Sequence, residues 1–164
     1  MSMIGNYLRL PQADLDTLLA KPESIADFLY PEDDSQYPHD RHLDIDKAWH
    51  LIHCLLTGTD WEGKEPLRSA VLGGDEIGDE DVGYGPARSM VPAKVREVSE
   101  ALSAISPETL WSRFDLETVE ALEIYPGWTG DAEDRAYVLG HYEKLREFFK
   151  KAAADHAAMI LYLS

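Results

Sequence analysis

The sequence predicts an α+β fold, with a small mixed or antiparallel sheet that includes strands from both chain ends and packs against several helices. Three observations point there. Residues 3–10 and Met159–Leu163 are rich in apolar and β-prone types, so each end reads as a strand. Between them apolar residues recur at helical spacing in several segments, the longest from about Ala132 to Ala154. At 164 residues, 45% of them hydrophobic, the chain is long enough for one core and too short for two full-sized domains. Residues 1–164 are therefore expected to form a single domain.

The elements follow in order. The first strand stops at Pro11, and Gln12–Ala20 reads as a short helix carrying Leu15, Leu18 and Leu19. A second short helix over Ser24–Tyr30 places Ile25, Phe28 and Leu29 on one side. Residues 31–42 have no apolar period and contain two prolines, so they read as an exposed loop. From Ile45 to Thr57 the apolar residues Ile45, Trp49, Ile52 and Leu56 define a helix, with Asp44 as its cap and Gly58 as its stop. Pro66 opens a shorter helix closed by Gly73 and Gly74. Residues 75–88 lack a helical pattern and read as an acidic run followed by an extended, glycine-hinged segment. Helices are then expected from Pro92 to Ile105, at Pro107–Arg113, at Asp115–Leu122 with Asp115 as cap, and from Ala132 with Asp131 as cap.

The chain carries 31 acidic and 15 Lys or Arg side chains, a formal charge of −16. Phosphate backbones and anionic membrane surfaces are bound by lysine and arginine, so the balance predicts neither nucleic acid nor membrane as a partner. Residues 14–81 hold 18 acids against five bases (Lys21, Arg41, Lys47, Lys64 and Arg68), so the negative field belongs to the first half. It acts either as a solubility coat or as a face that steers a basic protein. Cys54 is the only cysteine, which leaves no intramolecular disulfide and no thiolate zinc cluster and fits a reducing cytoplasm. The first residues lack the basic region and apolar run of a signal peptide, and no stretch is long enough to span a bilayer.

The sharpest local pattern is Asp46, His50 and His53 on the helix after Ile45, where the spacing puts all three within about 60° on one face. Carboxylate and imidazole groups so placed could bind a divalent ion, with His39 and His42 just upstream. No further fixed ligand is evident and no H-E-x-x-H motif occurs, so neither metal nor other cofactor is predicted. In the competing reading Asp46 stabilises the helix start, His50 faces solvent and His53 sits hydrogen-bonded at the core edge. The acidic run after Asp75 fails the calcium-loop pattern, with Glu80 where glycine is needed and Pro86 where glutamate is needed. The segment Gly83–Arg88 fails the dinucleotide fingerprint, because Arg88 replaces the third glycine. Arg88 is left to pair with an internal carboxylate or to receive an anionic ligand group, beside the ring and hydroxyl of Tyr84. Cys54 lies inside a helix with no means of lowering its pKa, and no nucleophile elbow occurs. Trp61, Tyr125 and Trp128 lie on loops, where aromatics either cover the core or line a pocket.

Several segments in fixed order resemble the YfbM-like family, a bacterial domain of unknown function. They are Met3–Gly5, the Leu-Asp-Ile-Asp-Lys-x-Trp run ending at Trp49, His53, Leu56–Gly58, Pro66 with Leu67, Ala70–Gly73, Gly83–Arg88 and Glu123–Pro126. The resemblance implies an α+β fold and carries no established activity. Asp44, Asp46, Lys47, Trp49 and His53 match its pattern, whereas His39, His42 and His50 do not, which weakens a shared metal site. With Tyr84, Arg88, Tyr125 and Trp128, the residues Asp44, Asp46, Trp49 and His53 are the candidates for a ligand-binding cleft. Two function classes stand. One is a non-enzymatic interaction protein whose acidic half binds or antagonises a basic partner protein. The other is a small-molecule-binding domain or enzyme using that cleft, with a metal-dependent variant, and the sequence does not decide whether the chain is catalytic.

Overall fold

In the computed structural model, which describes residues 1–164, strand β1 (Gly5–Leu10) lies beside strand β2 (His42–Asp44). Strand β3 (Asp75–Glu76) pairs with β4 (Arg88–Met90), and β4 with β5 (Ala158–Leu163). β1 and β5 close the sheet from Gly5↔Leu163 to Leu10↔Ala158, so the order is β2-β1-β5-β4-β3, antiparallel throughout. The two chain ends are strands of one sheet, as their apolar runs predict, and they form its centre. Both edge strands are short and end in acidic residues, which discourages addition of a foreign strand.

Side chains alternate across a strand, and here both faces are covered. Leu8, Leu10, Ala158, Ile160 and Tyr162 enter a small layer with helix α1 (Gln12–Ala20), helix α2 (Ile25–Leu29), Tyr37, Ile77 and Val82. Tyr7, Met159 and Leu161 enter the larger layer. It holds helices α3 (Trp49–Thr57), α4 (Pro92–Ser103), α5 (Pro107–Trp111), α6 (Leu116–Ala121) and α7 (Ala132–Ala154). No helix is long and apolar enough to cross a membrane.

Three segments differ from expectation. Residues 31–42 form 3-10 turns at Asp34–Gln36 and His39–Arg41 and bury Tyr37, whose hydroxyl lies 3.1 Å from that of Tyr162. The next residues form β2, held by backbone pairing to β1 that no local pattern announces. Residues 75–88 supply β3 and the start of β4 instead of one extended lead. The segment opened by Pro66 is a single 3-10 turn, Leu67–Ala70.

The expected helix from Ile45 begins in α form only at Trp49, after a 3-10 turn over Asp46–Ala48. Asp44 does not cap it. Its Oδ1 accepts from the Asp46 amide two residues on at 2.6 Å, an Asx turn that supports the left-handed backbone of Asp46 at φ 49°. Gly58, at φ 77°, ends the helix as its position predicts. At the other end of α3, a Cβ on Gly5 would lie 2.9 Å from Trp49 Cβ, so the missing side chain lets α3 rest directly on β1.

Asp131 does cap α7, accepting from the Asp134 amide at 2.8 Å. Asp131→Ala is expected to cost about 1 kcal/mol, read as a lower urea midpoint at unchanged slope. An unchanged midpoint would show that the cap contributes nothing.

Candidate functional site

Of the residues predicted on and before α3, Trp49 meets Tyr125 of the 123–128 loop directly. The Trp49 ring is fully buried and donates from Nε1 to the Met3 carbonyl at 2.9 Å, while the Met3 amide donates to the Tyr125 hydroxyl at 2.9 Å. Tyr125 stacks on Trp49 at 5.9 Å and His50 stacks on it at 4.8 Å. His50 is 2% exposed and does not face solvent. Its Nε2–H donates to the Asp60 carbonyl at 3.0 Å and its Nδ1 accepts from the Tyr125 amide at 2.9 Å, which fixes a neutral imidazole. The reason is the loop after Gly58, which folds back so that Trp61 covers the imidazole at 4.7 Å. Trp128 donates from Nε1 to the Tyr125 carbonyl at 2.9 Å and approaches Tyr137 at 6.1 Å.

Asp46 and His53 have neighbours of their own. The Tyr137 hydroxyl donates to Asp46 Oδ2 at 2.7 Å and accepts from the Lys47 amide at 3.1 Å. Burial, then the Asp46 carboxylate, push the phenol's pKa well up. His53 is fully buried, lies 3.4 Å from the Thr57 hydroxyl through Nε2, and has no partner for Nδ1. Burial lowers its pKa to about 4. Asp44 is exposed.

Tyr84 and Arg88 share no hydrogen bond or ring contact with this group. The Tyr84 amide donates to the Leu163 carbonyl at 3.0 Å, and its side chain is exposed. Arg88 pairs with no carboxylate; its Nη1 donates to the carbonyls of Val71 at 3.3 Å and Gly73 at 3.1 Å. These bonds hold the segment that follows the Leu67–Ala70 turn against β4 and leave the guanidinium a structural role.

The chemistry open to the predicted cleft is narrow. Tyr125 and Trp128 line a depression of about 390 Å³ together with Glu120 and Glu123. Of the predicted residues able to move protons, His50 and Asp46 are already hydrogen-bonded within the protein, which leaves only the carboxylates of Glu120 and Glu123 at the rim of the depression. Nor are three His, Cys, Asp or Glu side chains grouped as metal donors anywhere, and Asp46, His50 and His53 each face different partners.

A second arrangement was only half visible in the sequence. The acids of residues 14–34 and 79–81 all belong to the smaller layer, whose apolar side chains point to the sheet. Asp14, Asp16, Glu23, Asp27, Glu32, Asp33, Asp34, Asp79, Glu80 and Asp81 are consequently all exposed on its outer side, with Lys21 as the one base among them. None of the ten pairs with a lysine or arginine. Within this layer Asp27, Glu32 and Asp33 surround Tyr30 in a depression of about 360 Å³. Tyr30 is 51% exposed yet fixed, its hydroxyl donating to the Val82 carbonyl at 2.6 Å and its ring lying edge-on to Tyr162 at 6.4 Å. Its signal was the apolar triplet Phe28-Leu29-Tyr30 at the end of a five-residue helix, which cannot bury all three.

Comparison with known proteins agrees with this fold and with the resemblance noted in the sequence. Residues 1–162 match the family described as "Domain of unknown function (DUF1877)". Protein YfbM of Escherichia coli (strain K12) is 30% identical over 138 residues, covering 81% of this chain and 78% of that protein. The crystal structure of YfbM from Escherichia coli, a protein of unknown function, matches at a TM-score of 0.75 and 23% identity, covering 98% of this chain and 99% of that one. At that identity the structural likeness establishes the α+β fold. The chain belongs to the DUF1877 family, a family of unknown function.

Proposed function

We propose that the protein is a non-enzymatic binding protein whose acidic layer docks a basic partner protein. One observation carries the reading: ten exposed carboxylates stand on one side of the sheet with no arginine or lysine paired to them. Like charges held together repel, and a partner bearing lysine and arginine relieves that repulsion while being steered to the face. The Tyr30 groove supplies a specific anchor. Its ring, held from beneath by Tyr162 and flanked by Asp27, Glu32 and Asp33, offers a cation-π surface and two or three acceptors to one basic side chain. The two long helices of the larger layer, α4 and α7, mix both signs instead.

The test is affinity capture from cell extract at about 0.1 M and about 1 M salt, where the Debye length falls from about 10 to 3 Å. The wild-type chain is expected to retain a basic protein at the lower salt and release it at the higher. The Asp27→Lys, Glu32→Lys, Asp33→Lys variant is expected to lose it, whereas Glu117→Lys, Glu120→Lys, Glu133→Lys on the other side retains it. Equal capture by both variants would overturn the proposal, as would the absence of any specific basic partner.

A further inference from the structure

One depression in this acidic molecule gathers positive charge. We infer that it binds a phosphate group, carried by a small metabolite or free as inorganic phosphate. It has a volume of about 370 Å³ and is lined by Arg9, Pro11, Gln12, Arg41, Asp155 and His156 among others. These come from the end of β1, the start of α1, the turn before β2 and the turn after α7. Residues distant in sequence thus bring two guanidinium groups and an imidazole to one place.

The donors there are underused. The Arg9 side chain is only 16% exposed, yet its two contacts, Asp155 Oδ2 at 3.4 Å and the Asp40 carbonyl at 3.3 Å, are long. Its remaining N–H groups have no partner in the protein. Arg41 is half-buried and its side chain makes no hydrogen bond or ion pair. Helix α1 has no side-chain cap, and the amides of Gln12 and Ala13 donate to nothing. An uncapped helix start beside two arginines offers fixed amide donors together with full positive charge. His156 adds an imidazole with no hydrogen bond, held there by a left-handed backbone at φ 53°.

The opposing groups are weaker. Asp155 is 54% exposed and only loosely held by Arg9, so it can turn outward when an anion enters. Three of the last four carbonyls of α7 are used by their own turn, with the Asp155 amide on Lys151 at 3.0 Å, the His156 amide on Ala153 at 3.1 Å and the Ala157 amide on Ala152 at 2.9 Å. Two arginines repel a metal cation. A carboxylate has fewer acceptors than this spread of donors can meet, whereas a tetrahedral phosphate presents oxygens toward guanidinium, amide and imidazole at once. The volume, within the range of small-molecule sites, leaves room for the organic part of an ester.

The test is an NMR titration of the full chain with inorganic phosphate, with glucose 6-phosphate and with glucose. Both phosphates are expected to shift the Gln12 and Ala13 amides and the Arg9 Nε–H signal, saturating in the millimolar range or below, while glucose does not. Tighter binding of the ester would identify an esterified ligand, and equal binding free phosphate. Arg41→Gln, which breaks no internal bond, is expected to weaken binding about tenfold. Arg9→Gln should weaken it at least as much, with circular dichroism confirming the fold. No shift at those amides with either phosphate overturns the inference, and so does an Arg41→Gln variant that binds as tightly as wild type.

Discussion

Trp49→Ala is expected to destabilise the protein by about 4 kcal/mol, a large part of the roughly 5–15 kcal/mol that holds a domain together. The indole is fully buried between Tyr125, His50 and β1, so alanine leaves a cavity that its neighbours cannot fill without breaking the His50 hydrogen bonds. It also strips the Met3 carbonyl of its donor. Trp49→Phe separates the two losses. Phenylalanine keeps most of the apolar volume but not the N–H, and is expected to cost about 1–2 kcal/mol. Urea denaturation followed by circular dichroism gives both values. A cost below about 1 kcal/mol for the alanine variant would mean that the aromatic group around α3 is not a keystone of the larger layer.

The second large effect is acid sensitivity arising from His53. Burial holds its pKa at about 4, below its ordinary value near 6.5, so between those values the unfolded chain binds a proton that the folded chain refuses. Stability from this group is therefore complete above about pH 6.5 and is lost as pH falls toward 4. The loss is on the order of 2 kcal/mol by about pH 5. Burial lowers the pKa of His50, His42 and His141 as well, which adds in the same direction. His53→Leu, with no proton to take up, is expected to flatten the profile measured by urea denaturation between about pH 7 and pH 5. An equally steep profile in that variant would show that His53 is not responsible.

The parts of the fold that the sequence reveals are those fixed by local pattern. The apolar runs at both ends become the two central strands, Asp131 and Gly58 bound their helices, and α7 keeps its apolar stripe toward the core. The missed parts are set by distant partners. His42–Asp44 has no strand character of its own and is a strand because β1 offers it backbone partners. Asp75–Glu76 is one because β4 lies alongside. The same division holds at the sites. Trp49 and Tyr125 do meet, since one lies on a readable helix and the other on a loop whose amide finds His50. His50 looked exposed because helical periodicity does not include the loop that returns over it, carrying Asp60 and Trp61. Arg88, read as pairing with a carboxylate or receiving an anionic ligand, instead donates to carbonyls of Val71 and Gly73, in a segment that sequence places only loosely. The acidic bias was plain in composition, but its collection on one side follows from α1, α2 and the 77–87 connection all packing on the same sheet face.

Hydrogen exchange on the chain, alone and bound to a captured basic protein, tests the central claim most directly. Protection is predicted over residues 12–37 and 77–87, strongest around Tyr30, with the α4 and α7 surfaces unchanged. Protection confined to α4, α7 or the depression beside Tyr125 and Trp128 would contradict the account.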